Sequence, residues 1–155
     1  QYKDGTQIFL ADIPGIIDGA HQNRGLGHDF LRHIERVKMV VYVLDGSGDY
    51  GRRDPCEDFR ILQDELRLYS SDMISRPSLV AINKMDLILE SKESGMLNAL
   101  GDFNEQFETM RERIQDMSYE FTGNRVPVVA MSGMTGLRVS DLALAIRGIA
   151  KPDSL

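Results

Sequence analysis

Three stretches of the chain share one pattern of apolar and polar positions. TQIFLAD (6–12), MVVYVLD (39–45) and SLVAIN (78–83) are short, rich in β-formers, almost unbroken in apolar residues, and closed by a polar side chain. A fourth, VPVVAMS (126–132), ends in Ser132. Runs without alternation mean burial on both faces, as in a parallel sheet covered by helices. Helical spacing lies between them: Phe30, Leu31, Ile34 and Val37 in 28–37, then Phe59, Leu62, Leu66 and Tyr69 after Asp54-Pro55. There the acid reads as the cap and the proline as the first helical residue. A last helix over 138–150 is expected to bury Val139, Leu142, Ile146 and Ile149. The order β-α-β-α-β-α-β-α predicts an α/β fold, a doubly wound, mostly parallel sheet with helices on both faces. Ligands of such folds bind at the carboxyl ends of strands, where Asp12, Asp45, Asn83 and Ser132 fall.

The segment 88–124 breaks the rhythm. Leu100, Phe103, Phe107, Met110, Ile114, Met117 and Phe121 recur every three or four residues, with charges opposite. This predicts a long helix laying its stripe on the sheet, with a partner-binding helix as the alternative. The chain has 155 residues, 42% of them apolar and 27% charged, which suits one globular domain. A net charge of −6 gives no basis for a purely electrostatic hold on nucleic acid by the whole chain. The single cysteine, Cys56, cannot form an internal disulfide. No apolar run is long enough to span a bilayer, so no membrane partner is expected.

Chemistry concentrates in three short stretches. DIPG, from Asp12 to Gly15, follows the first run. A strand-end acid can hold Mg²⁺ through water, because that ion keeps several waters and takes few carboxylates. A glycine three residues on lets the backbone reach a phosphate, and Pro14 stiffens the turn. Alone, the same four residues also describe an ordinary strand end and turn. The second stretch is NKMD, Asn83 to Asp86. Guanine presents N1–H and an exocyclic amine side by side, and one carboxylate, that of Asp86, accepts both. Asn83 can donate to the base's acceptor edge and brace neighbouring loops, while Lys84 lays its aliphatic stem along the base plane. Adenine offers neither donor and leaves the carboxylate unpaired. The competing reading is a solvated turn. The third stretch is MSGMTG (131–136), where Ser132 and Gly133 supply a tight loop whose N–H meets the guanine oxygen.

Taken in this order, DIPG, NKMD and SGM resemble the third, fourth and fifth boxes of the P-loop GTPases. GIIDGAHQNRGLGHDFLRHIERV (15–37) and VLDGSGDYGRRDP (43–55) resemble the Obg family in particular. The similarity covers nearly the whole chain apart from 88–124. It implies a G domain that binds GTP or GDP with Mg²⁺, with Asp12 at the metal. Pro14, Gly15, Asn83, Lys84, Met85, Asp86, Ser132, Gly133 and Met134 are then the nucleotide-contacting positions. It also implies slow hydrolysis, a role in assembling the large ribosomal subunit with its rRNA and proteins, and a mobile loop over 15–27 that senses the γ-phosphate. The fifth box carries Gly133 where the family pattern has alanine.

No G-x-x-x-x-G-K-[ST] stretch is present, and the sequence has no Gly-Lys pair. That loop is what cradles phosphates. The reading is therefore that 1–155 form the carboxyl-terminal two thirds of an Obg-type G domain, with the phosphate loop and the switch threonine upstream. In the family fold, the strand before that loop lies between 6–12 and 39–45, and without it both neighbours keep unpaired edges. These residues are expected to fold poorly alone. The position of the water-orienting glutamine in many GTPases holds Ile16, so no catalytic residue is assigned. His21, Gln22 and Arg24 are weaker candidates in the loop. A mitochondrial matrix is the first expectation for location, with bacterial cytoplasm or chloroplast stroma open. Two other readings stand beside this one. The chain could be a non-catalytic remnant docking on ribosome-assembly intermediates, or an unrelated nucleotide-binding α/β enzyme.

Overall fold

A computed structural model describes residues 5, 7–12, 37–47, 54–90 and 96–150. Three strands form one parallel sheet in the order β1 (Val40–Asp45), β2 (Ser78–Asn83), β3 (Val128–Ala130). Between them run α1 (Pro55–Tyr69), α2 (Ser71–Ile74), α3 (Met85–Glu90) and α4 (Met96–Thr122), and α5 (Val139–Ala150) follows β3. The architecture is the expected α/β one.

The register sorts the two faces. Val40, Tyr42 and Leu44 stand opposite Ser78, Val80 and Ile82, and Val80 and Ile82 opposite Val128 and Ala130. Side chains alternate along strands, so these share one face. The main core lies there: Tyr42, Leu44, Val80, Ile82 and Ala130 cluster with Phe59 and Leu66 of α1 and Phe103, Phe107 and Ile114 of α4. Phe59 meets Tyr42 edge to face at 5.1 Å, a favourable aromatic geometry. The long helix thus packs its stripe inward, as its spacing predicts. Leu79 and Ala81 point to the opposite face and are fully buried, where α5 lies on β2 and buries Ile146.

Local sequence explains the helix ends. Asp54 caps α1, accepting the Cys56 N–H at 3.0 Å, with Pro55 as the first helical residue. Its other oxygen accepts from Arg113 of α4 at 2.6 Å, which ties the long helix to the start of α1. The short β3 follows Pro127, which has no N–H to give a ladder.

Two expectations and one competing reading need correction. Residues 7–12 form no strand, and Phe9 and Leu10 are 88% and 75% exposed. A strand needs a neighbour for its backbone groups, and among the described residues β1 pairs only with β2. Along α5 only Ile146 is buried; Val139 is exposed, and Leu142 and Ile149 are half-buried. The helix rests on a narrow sheet, so the flanks of its stripe overhang, and Val43 on the same face is exposed. The stretch after Asn83 is not a bare turn: it enters α3 at once. Phe30, Leu31 and Ile34 lie outside the described residues, as do the side chains of Tyr69 and Leu100.

Candidate functional site

The ladder does not stop where the strands do. Past β1, the Gly46 N–H donates to the Asn83 carbonyl at 2.8 Å. Past β3, the Met131 N–H reaches the Ile82 carbonyl at 2.8 Å, and the Met85 N–H the Met131 carbonyl at 3.2 Å. The carboxyl ends of all three strands are thereby held level, so 45–47, 83–86 and 131–137 meet at one edge of the sheet. Gly46 makes this approach possible. A Cβ there would lie 2.5 Å from Ile82 Cγ2 and 2.8 Å from Met85 Sδ.

Asn83 is the brace. Its Oδ1 accepts the Lys84 N–H at 2.8 Å and the Gly133 N–H at 2.9 Å. Two N–H donors fix which end of the amide is oxygen, which leaves Nδ2 to donate outward. Lys84 holds φ 64, a left-handed conformation that turns the strand end into α3. Its ammonium contacts Asp45 Oδ2 at 2.8 Å, while Asp45 Oδ1 accepts both the N–H and the hydroxyl of Ser47, at 3.0 and 2.7 Å. Burial pushes the Asp45 carboxyl up, but the bonds from Lys84 and Ser47 and the Lys84 charge hold it well below the usual carboxylate range. Met85 is buried and anchors the turn.

Asp86 follows, on the first turn of α3. Its Oδ1 is buried and has no hydrogen-bond partner among the described residues. Buried polar atoms are nearly always satisfied, so an orphaned carboxylate oxygen at the mouth of an α/β sheet points to an absent donor. The paired donors of guanine suit it.

The third stretch is more fully engaged than its sequence suggests. Ser132 is completely buried; its N–H donates to Leu137 O at 2.9 Å and its hydroxyl accepts from the Thr135 N–H at 3.2 Å. The Gly133 N–H serves Asn83. Both amides assigned to the guanine oxygen therefore already have acceptors inside the protein. The next one, Met134, is 91% exposed and its N–H has no acceptor among the described residues. Gly136, at φ 78, closes the loop by donating to Ser132 O at 3.0 Å.

The structure thus brings together Asn83, Lys84, Met85, Asp86, Ser132, Gly133 and Met134. Asp12 is exposed, on the segment before the first strand. Pro14, Gly15, Ile16, His21, Gln22 and Arg24 lie outside the described residues. Sequence reasoning put Asp45 at a ligand-facing strand end without giving it a role, and passed over Gly46. The signal was there: Asp45 ends a strand neighbouring the one that ends in Asn83, and glycine follows it.

The profile of the family described as 50S ribosome-binding GTPase matches residues 1–84. GTPase Obg of Symbiobacterium thermophilum is 56% identical over 84 residues, 54% of this chain and 20% of the relative. GTPase Obg of Akkermansia muciniphila is 56% identical over 98 residues, 63% of this chain and 27% of the relative. For GTPase Obg of Caldicellulosiruptor saccharolyticus the figures are 42% over 136 residues, 88% of this chain and 27% of the relative. The chain spans about a fifth to a quarter of the length of these curated relatives. The longer match has the lower identity.

Proposed function

We propose a function from one premise: the chain belongs to the 50S ribosome-binding GTPase family, among its Obg-type P-loop GTPases. Its strand ends hold the base of GTP or GDP. The observation that carries this reading is the buried Asp86 Oδ1, which has no partner among the described residues and lies one residue beyond a turn bonded to the 131–137 loop. Asp86 accepts the N1–H and the amine of guanine. Asn83 Nδ2 donates to the base's acceptor edge, and the Lys84 stem covers its plane. Ser132 builds the opposing loop, Gly133 is braced by Asn83, and the Met134 N–H, which has no acceptor among the described residues, meets the guanine oxygen.

Asp12, Pro14 and Gly15 belong to the phosphate side. Mg²⁺ enters this proposal with the nucleotide's own phosphates, and Asp12 is the carboxylate the chain offers it through water. Among the described residues no group of three or more His, Cys, Asp or Glu gathers.

The intact protein is proposed to hydrolyse GTP slowly and to act with the large ribosomal subunit. The 1–155 segment is proposed as the carboxyl-terminal two thirds of its G domain. Supporting this are the lone pairing of β1 among the described residues, the exposed Val43, and the exposed Phe9 and Leu10. The mitochondrial placement rests on the 19–27 stretch alone; the relatives above are bacterial. No helix among the described residues is long and apolar enough to cross a membrane.

Equilibrium binding of fluorescent GDP to the full-length protein, with Mg²⁺ removed and restored, tests the reading. Asp86→Asn is expected to weaken GDP by about 10- to 100-fold, the range for losing hydrogen bonds to a charged group. It should gain xanthosine diphosphate, whose 2-oxo group accepts where guanine donates. Equal displacement of the probe by ADP and GDP would sink the proposal.

A further inference from the structure

We infer that Asp45 is a positioning residue of the nucleotide site, fixing Lys84 in the pose from which its stem covers the base. The inference rests on the guanine reading above and deepens it. A lysine has a long stem with many rotamers, and a side chain that must lie along a ligand binds better when its ordering is complete beforehand. Here the far end of Lys84 is pinned. Nζ is 2.8 Å from Asp45 Oδ2, and that carboxylate is itself held by the N–H and hydroxyl of Ser47 on its other oxygen.

Backbone geometry fixes both ends of the pair. Asp45 and Asn83 are register partners in the parallel ladder, and the Gly46 N–H to Asn83 O bond locks them past the strand ends. At the near end, Lys84 leaves the strand in a left-handed conformation with its N–H on Asn83 Oδ1. The Lys84 stem is therefore strung between two fixed points, one residue from Met85 and two from Asp86.

The bland alternative is an ordinary surface ion pair. With side chains 41% and 25% exposed, the pair contributes little to stability. That is why a binding measurement, rather than a melting temperature, separates the two. Burial raises the Asp45 carboxyl, but its bonds to Lys84 and Ser47 and the Lys84 charge lower it further, so it stays ionised throughout the neutral range of such a measurement.

The experiment uses the full-length protein and fluorescent GDP. Asp45→Asn keeps an acceptor for Ser47 and removes the charge that holds Lys84. Its GDP affinity is expected to fall about threefold to tenfold, the cost of ordering one rotamer-rich side chain on binding. The preference for GDP over inosine diphosphate should stay, since Asp86 reads the 2-amino group. Asp45→Glu should recover part of the loss. In a Lys84→Met background, which keeps an apolar stem and loses the ammonium, Asp45→Asn should change affinity by less than about twofold. Wild-type affinity in Asp45→Asn would overturn the inference, and so would losses that multiply in the double variant. Failure of the unaltered protein to prefer GDP over ADP would instead remove the guanine reading, and this inference with it.

Discussion

Gly46→Ala tests whether the strand ends are as closely joined as the hydrogen bonds say. The added methyl would lie 2.5 Å from Ile82 Cγ2, 2.8 Å from Met85 Sδ and 3.0 Å from the Asn83 carbonyl oxygen. None of these neighbours yields easily. Ile82 is β-branched on a central strand, Met85 is buried, and the third is backbone. The Gly46 backbone is not left-handed, so the argument concerns space alone. Overpacking of this kind costs about 1–3 kcal/mol. The strained Gly46 N–H to Asn83 O bond adds about 0.5–1.5 kcal/mol. Alanine returns about 0.4–1 kcal/mol by restricting the unfolded chain. The net loss is roughly 0.5–4 kcal/mol, which at about 4 °C per kcal/mol for a domain of this size lowers Tm by about 2–16 °C. Thermal unfolding by circular dichroism reads it, with fluorescent GDP binding in parallel, since Asn83 and Met85 must shift together. A drop of less than about 2 °C with unchanged GDP affinity would refute the reasoning.

Gly133→Ala is expected to do the opposite. The nearest atoms its Cβ would meet among the described residues are side-chain atoms of Asn83 and Met131 at 3.6–3.9 Å, so the variant should gain about 0.4–1 kcal/mol in a denaturant titration and retain GDP binding. Asp54→Ala removes the cap of α1 and should cost about 1 kcal/mol in urea unfolding at pH 7. Burial raises the Asp54 carboxyl, but the Cys56 N–H and Arg113 outweigh that and hold it low. A carboxyl depressed on folding gives its full stabilisation above its unfolded value, about 3.9, and loses it as pH falls through the folded one. The variant should therefore lose less stability than the wild type between pH 7 and pH 3. Cys56 is buried, and burial with the nearby Asp54 charge pushes its thiol up to about 11. It should resist a thiol reagent at pH 8 until denaturant is added, and prompt stoichiometric labelling of the native protein would contradict that.

Much of this was legible before any coordinates. The runs at 39–45 and 78–83 became strands within a residue of their expected limits because both are buried on at least one face by helices with matching stripes. Asp54-Pro55 announced a helix start through chemistry that needs no tertiary contact. The run at 6–12 misled because an apolar, β-rich sequence states a preference, whereas a strand also requires a partner for its amides. The overhang of α5 was hidden for a related reason: periodicity tells which face of a helix is apolar, not how wide a surface will receive it. At the candidate site, NKMD and SGM were singled out by residue type. The engagement of the Ser132 and Gly133 amides did not, since hydrogen bonds reaching Leu137 and back to Asn83 depend on loop geometry. The Asp45–Lys84 pair, 39 residues apart, needed the parallel register to be seen.

One carbonyl oxygen, that of the Asn83 side chain, fastens the amide of its immediate successor and another 50 positions later. During synthesis the second of these amides is made long after the first. A nascent chain that has not yet delivered Gly133 holds the turn after Asn83 by the first of these bonds without the second. The turn at the end of the middle strand therefore reaches its full set of restraints only when the loop after the last strand has docked.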